Sequence, residues 1–129
     1  MRHTFPSRSR FPGIFLALFL AILAPAIALA QEKDVSTEID RLTEILESGD
    51  AQTRINAIKE LGRIGLAAVP ALIKALKDDE DGVRSSAAEA LGGIGPAAAE
   101  AIQVLRDLKN YADPMVGRTA SNALNKIEV

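Results

Sequence analysis

Cysteine and tryptophan are absent from the chain, and its single histidine, His3, falls within the first thirty residues. Without cysteine no disulfide can form, so stability has to come from packing alone. Beyond residue 30 the chain has neither imidazole nor thiolate. That excludes Ser-His-Asp and Cys-His catalytic arrangements and removes both favoured ligands of zinc. Aromatic rings are scarce as well. All four phenylalanines (Phe5, Phe11, Phe15, Phe19) lie in the first thirty residues, and Tyr111 is the one ring after them. A lone ring makes no stacking platform for bases and no aromatic cage, so Tyr111 reads as a half-buried packing residue. Nowhere does the sequence alternate apolar and polar residues with the period of a strand.

Residues 1–30 also lack Asp and Glu, while they contain Arg2, Arg8 and Arg10. An unbroken apolar run, Ile14 to Ala24, is followed by the helix-breaking Pro25 and by Ala28-Leu29-Ala30. A basic start, a short apolar stretch and a closing small-x-small pattern, in that order, predict a cleavable signal peptide over 1–30. The expected mature domain is 31–129, beginning at Gln31, and the expected location is the periplasm or the medium. The rival reading is an uncleaved anchor, since Ile14 to Ala30 approaches the ~17–25 apolar residues of a membrane span. No cysteine follows the run to receive lipid, and Ser9 separates Arg8 from Arg10, so neither a lipoprotein nor a twin-arginine leader is present. After residue 30, 12 Lys and Arg face 17 Asp and Glu, a formal charge near −5. This sign argues against nucleic acid, which demands a basic face, and against an anionic membrane surface.

The acidic part repeats itself. Asp50, Arg54, Ala57, Leu61-Gly62 and Ile64-Gly65 recur thirty residues on as Glu80, Arg84, Ala87, Leu91-Gly92 and Ile94-Gly95. A degraded third copy runs from Asp113 through Val116, Ala120 and Ala123-Leu124 to Ile127, with Gly117 at the arginine position and Asn125 at the first glycine. Within each copy, positions 54/57/58/61 and 84/87/88/91 follow the spacing of one helix face, with an arginine at the first position and apolar or small residues at the other three. The glycine pairs Gly62/Gly65 and Gly92/Gly95 end these helices and free the backbone to turn. Second helices follow, from Ala67 to Lys77 with Pro70 in the first turn, and from Ala97 to Asn110. Upstream, Ser36-Thr37 opens a helix bearing Ile39, Leu42, Ile45 and Leu46, which stops at Ser48-Gly49.

These residues resemble the HEAT-repeat superfamily, in particular the PBS-lyase HEAT-like subgroup. Its pattern of Asp, Val-Arg, Ala, Ala-Leu-Gly and Ile-Gly is met by Asp81, Val83-Arg84, Ala87, Ala90-Leu91-Gly92 and Ile94-Gly95. The rest is met by Leu61-Gly62-Arg63-Ile64-Gly65 followed by Ala68-Val69-Pro70-Ala71-Leu72, and the resemblance covers roughly residues 38–128. It implies an all-α fold: a short right-handed α-solenoid, an armadillo/HEAT-like superhelix of about five antiparallel helices. It also implies a structural role for Arg54 and Arg84, paired with acids such as Asp50 or Asp81 between neighbouring repeats.

Two further motifs reduce to structure. Gly92-Gly93-Ile94-Gly95 follows a helix, not a strand, and lacks the Lys-Ser/Thr of a phosphate loop. In the acidic run Asp78 to Asp81 before Gly82, a calcium loop would need an acid at 77 and Glu at 88, where Lys77 and Ala88 stand. Acids there suit a helix N-terminus. No catalytic, cofactor-binding or metal-ligating residue is assigned. The acids are spread as solvated charges rather than paired for hydrolysis.

What remains is surface. In a helical solenoid the second helices line an extended concave binding face. Lys74, Lys77, Gln103, Arg106 and Asn110 are the candidates there, a locally basic strip for an acidic segment of another protein. The expected function is an exported, non-catalytic interaction or scaffold module. One alternative is an accessory subunit of an enzyme resembling the phycobilin lyases. Another is a self-associating element, with Val116, Leu124 or Ile127 of the final helix, Pro114 to Glu128, left partly uncovered as an edge for homo-oligomers.

Overall fold

A computed structural model describes residues 34–111 and 113–129. The expected leader and its junction at Ala30-Gln31 lie outside the described residues, as does the reading of the Tyr111 side chain. The repeats lie within one compact unit, Thr37–Val129.

The described residues form six α-helices and no strand. They are α1 (34–48), α2 (Ala51–Ile64), α3 (Val69–Ala75), α4 (Asp81–Ile94), α5 (Ile102–Tyr111) and α6 (Pro114–Ile127). This is the expected leading helix, two helix pairs and closing helix, an all-α solenoid. α2, α4 and α6 pack side by side in one layer, and α3 and α5 pack against them. α1 joins the second layer beside α3.

Local chemistry explains the boundaries. The Asp50 carboxylate accepts from the Thr53 N–H at 2.8 Å and caps α2. Asp113 does the same for α6 through the Met115 N–H, with Pro114 in the first turn. α4 starts differently. Its N-cap, Glu80, makes no side-chain cap bond, and Asp81 is the one acid in its first turn, where the helix dipole favours it.

The second helices are shorter than the periodicity predicts. A 3-10 turn, Leu66–Ala68, precedes α3, and a 3-10 segment, Gly95–Ala101, broken at Ala98 (φ −93, ψ 22), precedes α5. Pro70 and Pro96 lack an N–H and stand in the first turns of α3 and of the second 3-10 segment, where no helical donor is needed.

The core is aliphatic. Leu42, Ile58, Leu61, Leu72, Leu76, Leu91 and Leu105 are fully buried, with alanines 57, 87, 88, 98, 101, 120 and 123 between the helices. Each buried leucine or isoleucine stabilises by about 1.5–3 kcal/mol relative to exposure. The small residues let the backbones approach. Ser85 is the one buried polar side chain among the described residues, and its hydroxyl lies 3.0 Å from that of Thr119, joining α4 to α6.

The expected apolar edge on the last helix is not there. Val116, Leu124 and Ile127 are 0, 5 and 3% exposed. Together with Ala120 and Ala123 they form a single stripe, and that whole stripe faces α4 and α5. The outward side of α6 carries Arg118, Asn122, Asn125 and Lys126, with Met115 exposed in its first turn.

Candidate functional site

The loop from α3 into α4 is fixed by the two recurrent arginines. Arg54, in the first turn of α2, donates from Nη1 to the Gly49 carbonyl at 2.7 Å and from Nη2 to the Asp78 carboxylate at 3.0 Å. Both side chains of that ion pair are largely buried. Arg84 donates from Nη1 to the carbonyls of Asp78 and Asp79, at 2.7 and 3.1 Å, and pairs through Nη2 with Asp81 one turn earlier. Asp78 also accepts from the Glu80 N–H at 3.0 Å. Arg54 thus reaches an acid of the following loop, whereas Arg84 pairs within its own helix. Their acids are Asp78 and Asp81, while Asp50 is occupied as a cap. Hydrogen bonds from the Thr53 backbone and side chain hold the Asp50 carboxyl below the usual aspartate range.

The fixed loop forms one wall of a groove of about 580 Å³, with α5 as the other wall. Buried Leu76 and part-buried Val104 and Leu108 make an apolar floor; exposed Lys77, Asp79 and Asp107 make the rim. The guanidinium of Arg84 also lines the groove, but its donors are directed to the loop carbonyls and Asp81. The rim charges stand outside the ion pairs, although the Asp107 carboxylate accepts from Gln103. Among the described residues, Lys77, Asp79 and Asp107 make no ion pair, whereas Arg41, Arg54, Arg84 and Arg106 all do.

The five sequence candidates are distributed over this face rather than gathered. Lys77 lines the groove. Lys74 lines a smaller crevice of about 150 Å³ between α1 and α3, beside Thr43 and Glu47. Asp78 borders both openings. On α5, Gln103 donates to Asp107 at 3.3 Å, Arg106 donates to Glu128, and Asn110 is exposed at the helix end. Asp79, Asp107, Val104 and Leu108 are not among the sequence candidates. Their signal is weak, because a groove between two hairpins joins residues some thirty positions apart and no local pattern marks the pairing.

Chemically, an apolar floor with charges at its rim can seat a side chain and hold polar groups around it. That is the composition of a protein contact. Among the described residues no helix is long and apolar enough to cross a membrane.

The comparisons agree with this architecture. The chain belongs to the HEAT-repeat family: a family model described as HEAT repeats matches residues 39–125. It is similar to the uncharacterized phycocyanin operon protein Z of Pseudanabaena tenuis, 35% identical over a 96-residue alignment, with 69% of this chain and 48% of that protein covered. The chain thus spans about half the length of the curated relative it matches. Among solved structures it is similar to an engineered protein from the Northeast Structural Genomics Consortium, with a TM-score of 0.53 and 26% identity, over 70% of this chain and 45% of that one. HEAT repeats stack into extended surfaces that serve contact between macromolecules, and the class is that of an interaction or scaffold module.

Proposed function

We propose that this chain is an exported, non-catalytic module that holds a segment of another protein along α1, α3 and α5, with the groove between the α3–α4 loop and α5 as its seat. The observation that carries this reading is the contrast in commitment: the arginines around the loop are consumed by the fold, while Lys77, Asp79 and Asp107 stand outside any ion pair over an apolar floor. Lys74, Gln103, Arg106 and Asn110 extend the contact along the same face. Crosslinking capture with the full chain as bait, repeated with Lys74→Glu plus Arg106→Glu and with Val104→Glu, tests it. The partner should be lost from the Val104 variant and weakened in the charge-reversed one. Equal capture by all three ends the proposal.

Export rests on the order of features in residues 1–30. N-terminal sequencing of the protein from a periplasmic or extracellular fraction should begin at Gln31; retention of Met1 or an intracellular location removes this part.

A second reading draws on the PBS-lyase-like pattern around Val83-Arg84 and Leu91-Gly92 and on the name of the relative, a phycocyanin operon protein. It makes the chain an accessory to bilin attachment. A shift of bilin absorbance on mixing supports it, and an unchanged spectrum removes it.

A further inference from the structure

A second surface lies on the layer formed by α2, α4 and α6. These helices meet where side chains are smallest: a Cβ placed on Gly62 would stand 3.2 Å from the Ala90 Cβ, and one on Gly92 would stand 3.0 Å from the Ala123 Cα. Contact along these lines leaves two crevices, of about 400 Å³ between α2 and α4 and about 240 Å³ between α4 and α6. Lys59 and Arg63 wall the first, Lys126 walls the second, and Glu89 lines both. At 100° per residue, Ser86, Glu89 and Gly93 point roughly 140–180° around α4 from Arg84. The crevices thus open on the opposite side of α4 from the groove between the α3–α4 loop and α5.

The charge here runs against that of the domain. Three exposed cations surround one carboxylate, in a region 31–129 where 12 basic residues face 17 acidic ones. None of the ion pairs among the described residues includes Lys59, Arg63 or Lys126. The carboxylates of the described residues leave them outside any ion pair, although carboxylates are in excess. A cationic patch with small-residue crevices at its centre is complementary to spaced anionic side chains.

We infer that the α2–α4–α6 face is a second docking surface, which takes an acidic segment of a partner protein whose carboxylates meet Lys59, Arg63 and Lys126. Glu89 decides the kind of anion. It stands where an uninterrupted line of phosphates would pass, and it repels one, while carboxylates on a polypeptide can straddle it. Ser86 and Asn122, beside the same crevices, offer hydrogen bonds to a peptide backbone. With the groove on the other side of α4, the molecule then has two faces for two partners, as a scaffold requires. This inference does not depend on the groove being occupied.

The test uses the full chain and a fluorescein-labelled peptide of alternating glutamate and serine, followed by anisotropy at low salt. The peptide should bind, and added salt should weaken it. Changing Lys59, Arg63 and Lys126 together to Gln should weaken it about tenfold, the sum expected of three partly screened rim charges. Glu89→Gln should tighten binding, a gain that misfolding cannot mimic. The inference is overturned by absence of peptide binding, by equal binding to the triple variant, or by an oligothymidylate or phosphatidylglycerol vesicles binding more tightly than the peptide through the same three residues.

Discussion

Arg54 and Asp78 stand 24 positions apart in sequence and 3.0 Å apart in the fold, so that the first turn of α2 holds the loop that leads into α4. The arginine is anchored at its other end nitrogen by the Gly49 carbonyl, and its Nε is buried without a partner. Both charged groups are mostly shielded from water, so the pair is less screened than a surface ion pair.

Removing one member strands the other. Arg54→Ala should lower stability by about 1–3 kcal/mol, read as a lower urea midpoint at unchanged m-value. Arg54→Lys should recover only part of this, because an ammonium cannot reproduce the planar fork that serves a carbonyl and a carboxylate at once. A lysine variant as stable as the parent would contradict the assignment.

Neighbouring glycines in α4 should respond with opposite signs. Gly92→Val drives atoms into the Ala123 backbone and should cost about 1–3 kcal/mol. At Gly93 nothing lies within 4 Å of an added Cβ and the backbone is helical. Gly93→Ala should therefore raise the thermal midpoint, by an amount corresponding to about 0.4–1 kcal/mol. Calorimetry on the two variants separates close approach from conformational freedom.

Gly65 and Gly95 have φ of +86 and +77 with strongly negative ψ, a region that side-chain-bearing residues scarcely enter. Space is no obstacle there, since an added Cβ would meet nothing within 4 Å. Gly95→Ala should still destabilise by about 1–3 kcal/mol through the backbone alone. Replacement by a D-alanine in a semisynthetic chain should restore the loss.

Acid should weaken the start of α2. The folded Asp50 carboxyl titrates below its unfolded value because the Thr53 hydrogen bonds favour its charged form. Its contribution is therefore complete above the ordinary aspartate value of about 4 and is lost as pH falls through the lower folded value. Asp50→Asn keeps an acceptor at the cap and should flatten the acid limb of the stability curve relative to the parent. An identical acid limb in both proteins would refute the cap's part in it.

Much of the fold was legible because helices and their ends are written locally. The thirty-residue recurrence located α2 and α4, and the apolar stripes located α1 and α6. What sequence alone could not separate were the two duties within each glycine pair. Gly62 and Gly92 make room for the neighbouring helix, whereas Gly65 and Gly95 turn the chain, and only the second duty has a local signature. The extent of α3 and α5 was overestimated, since apolar periodicity does not distinguish a 3-10 segment from an α-helical turn. The surface was less legible still. Lys77 was found from its place opposite the apolar stripe, but Asp79, Asp107 and Val104 matter through a juxtaposition of hairpins. The freedom of Lys59, Arg63 and Lys126 depends on where every carboxylate ends up, which is a property of the assembled layer.

The arginine grip is built the same way twice: Arg54 holds the carbonyl of Gly49 and Arg84 that of Asp79, each five positions back. Loop and following helix are thus one brick with its own fastening. Evolution or an engineer can lengthen or shorten such a wall by whole bricks without remaking a joint, whereas a cut of any other length parts a fastening from the loop it secures.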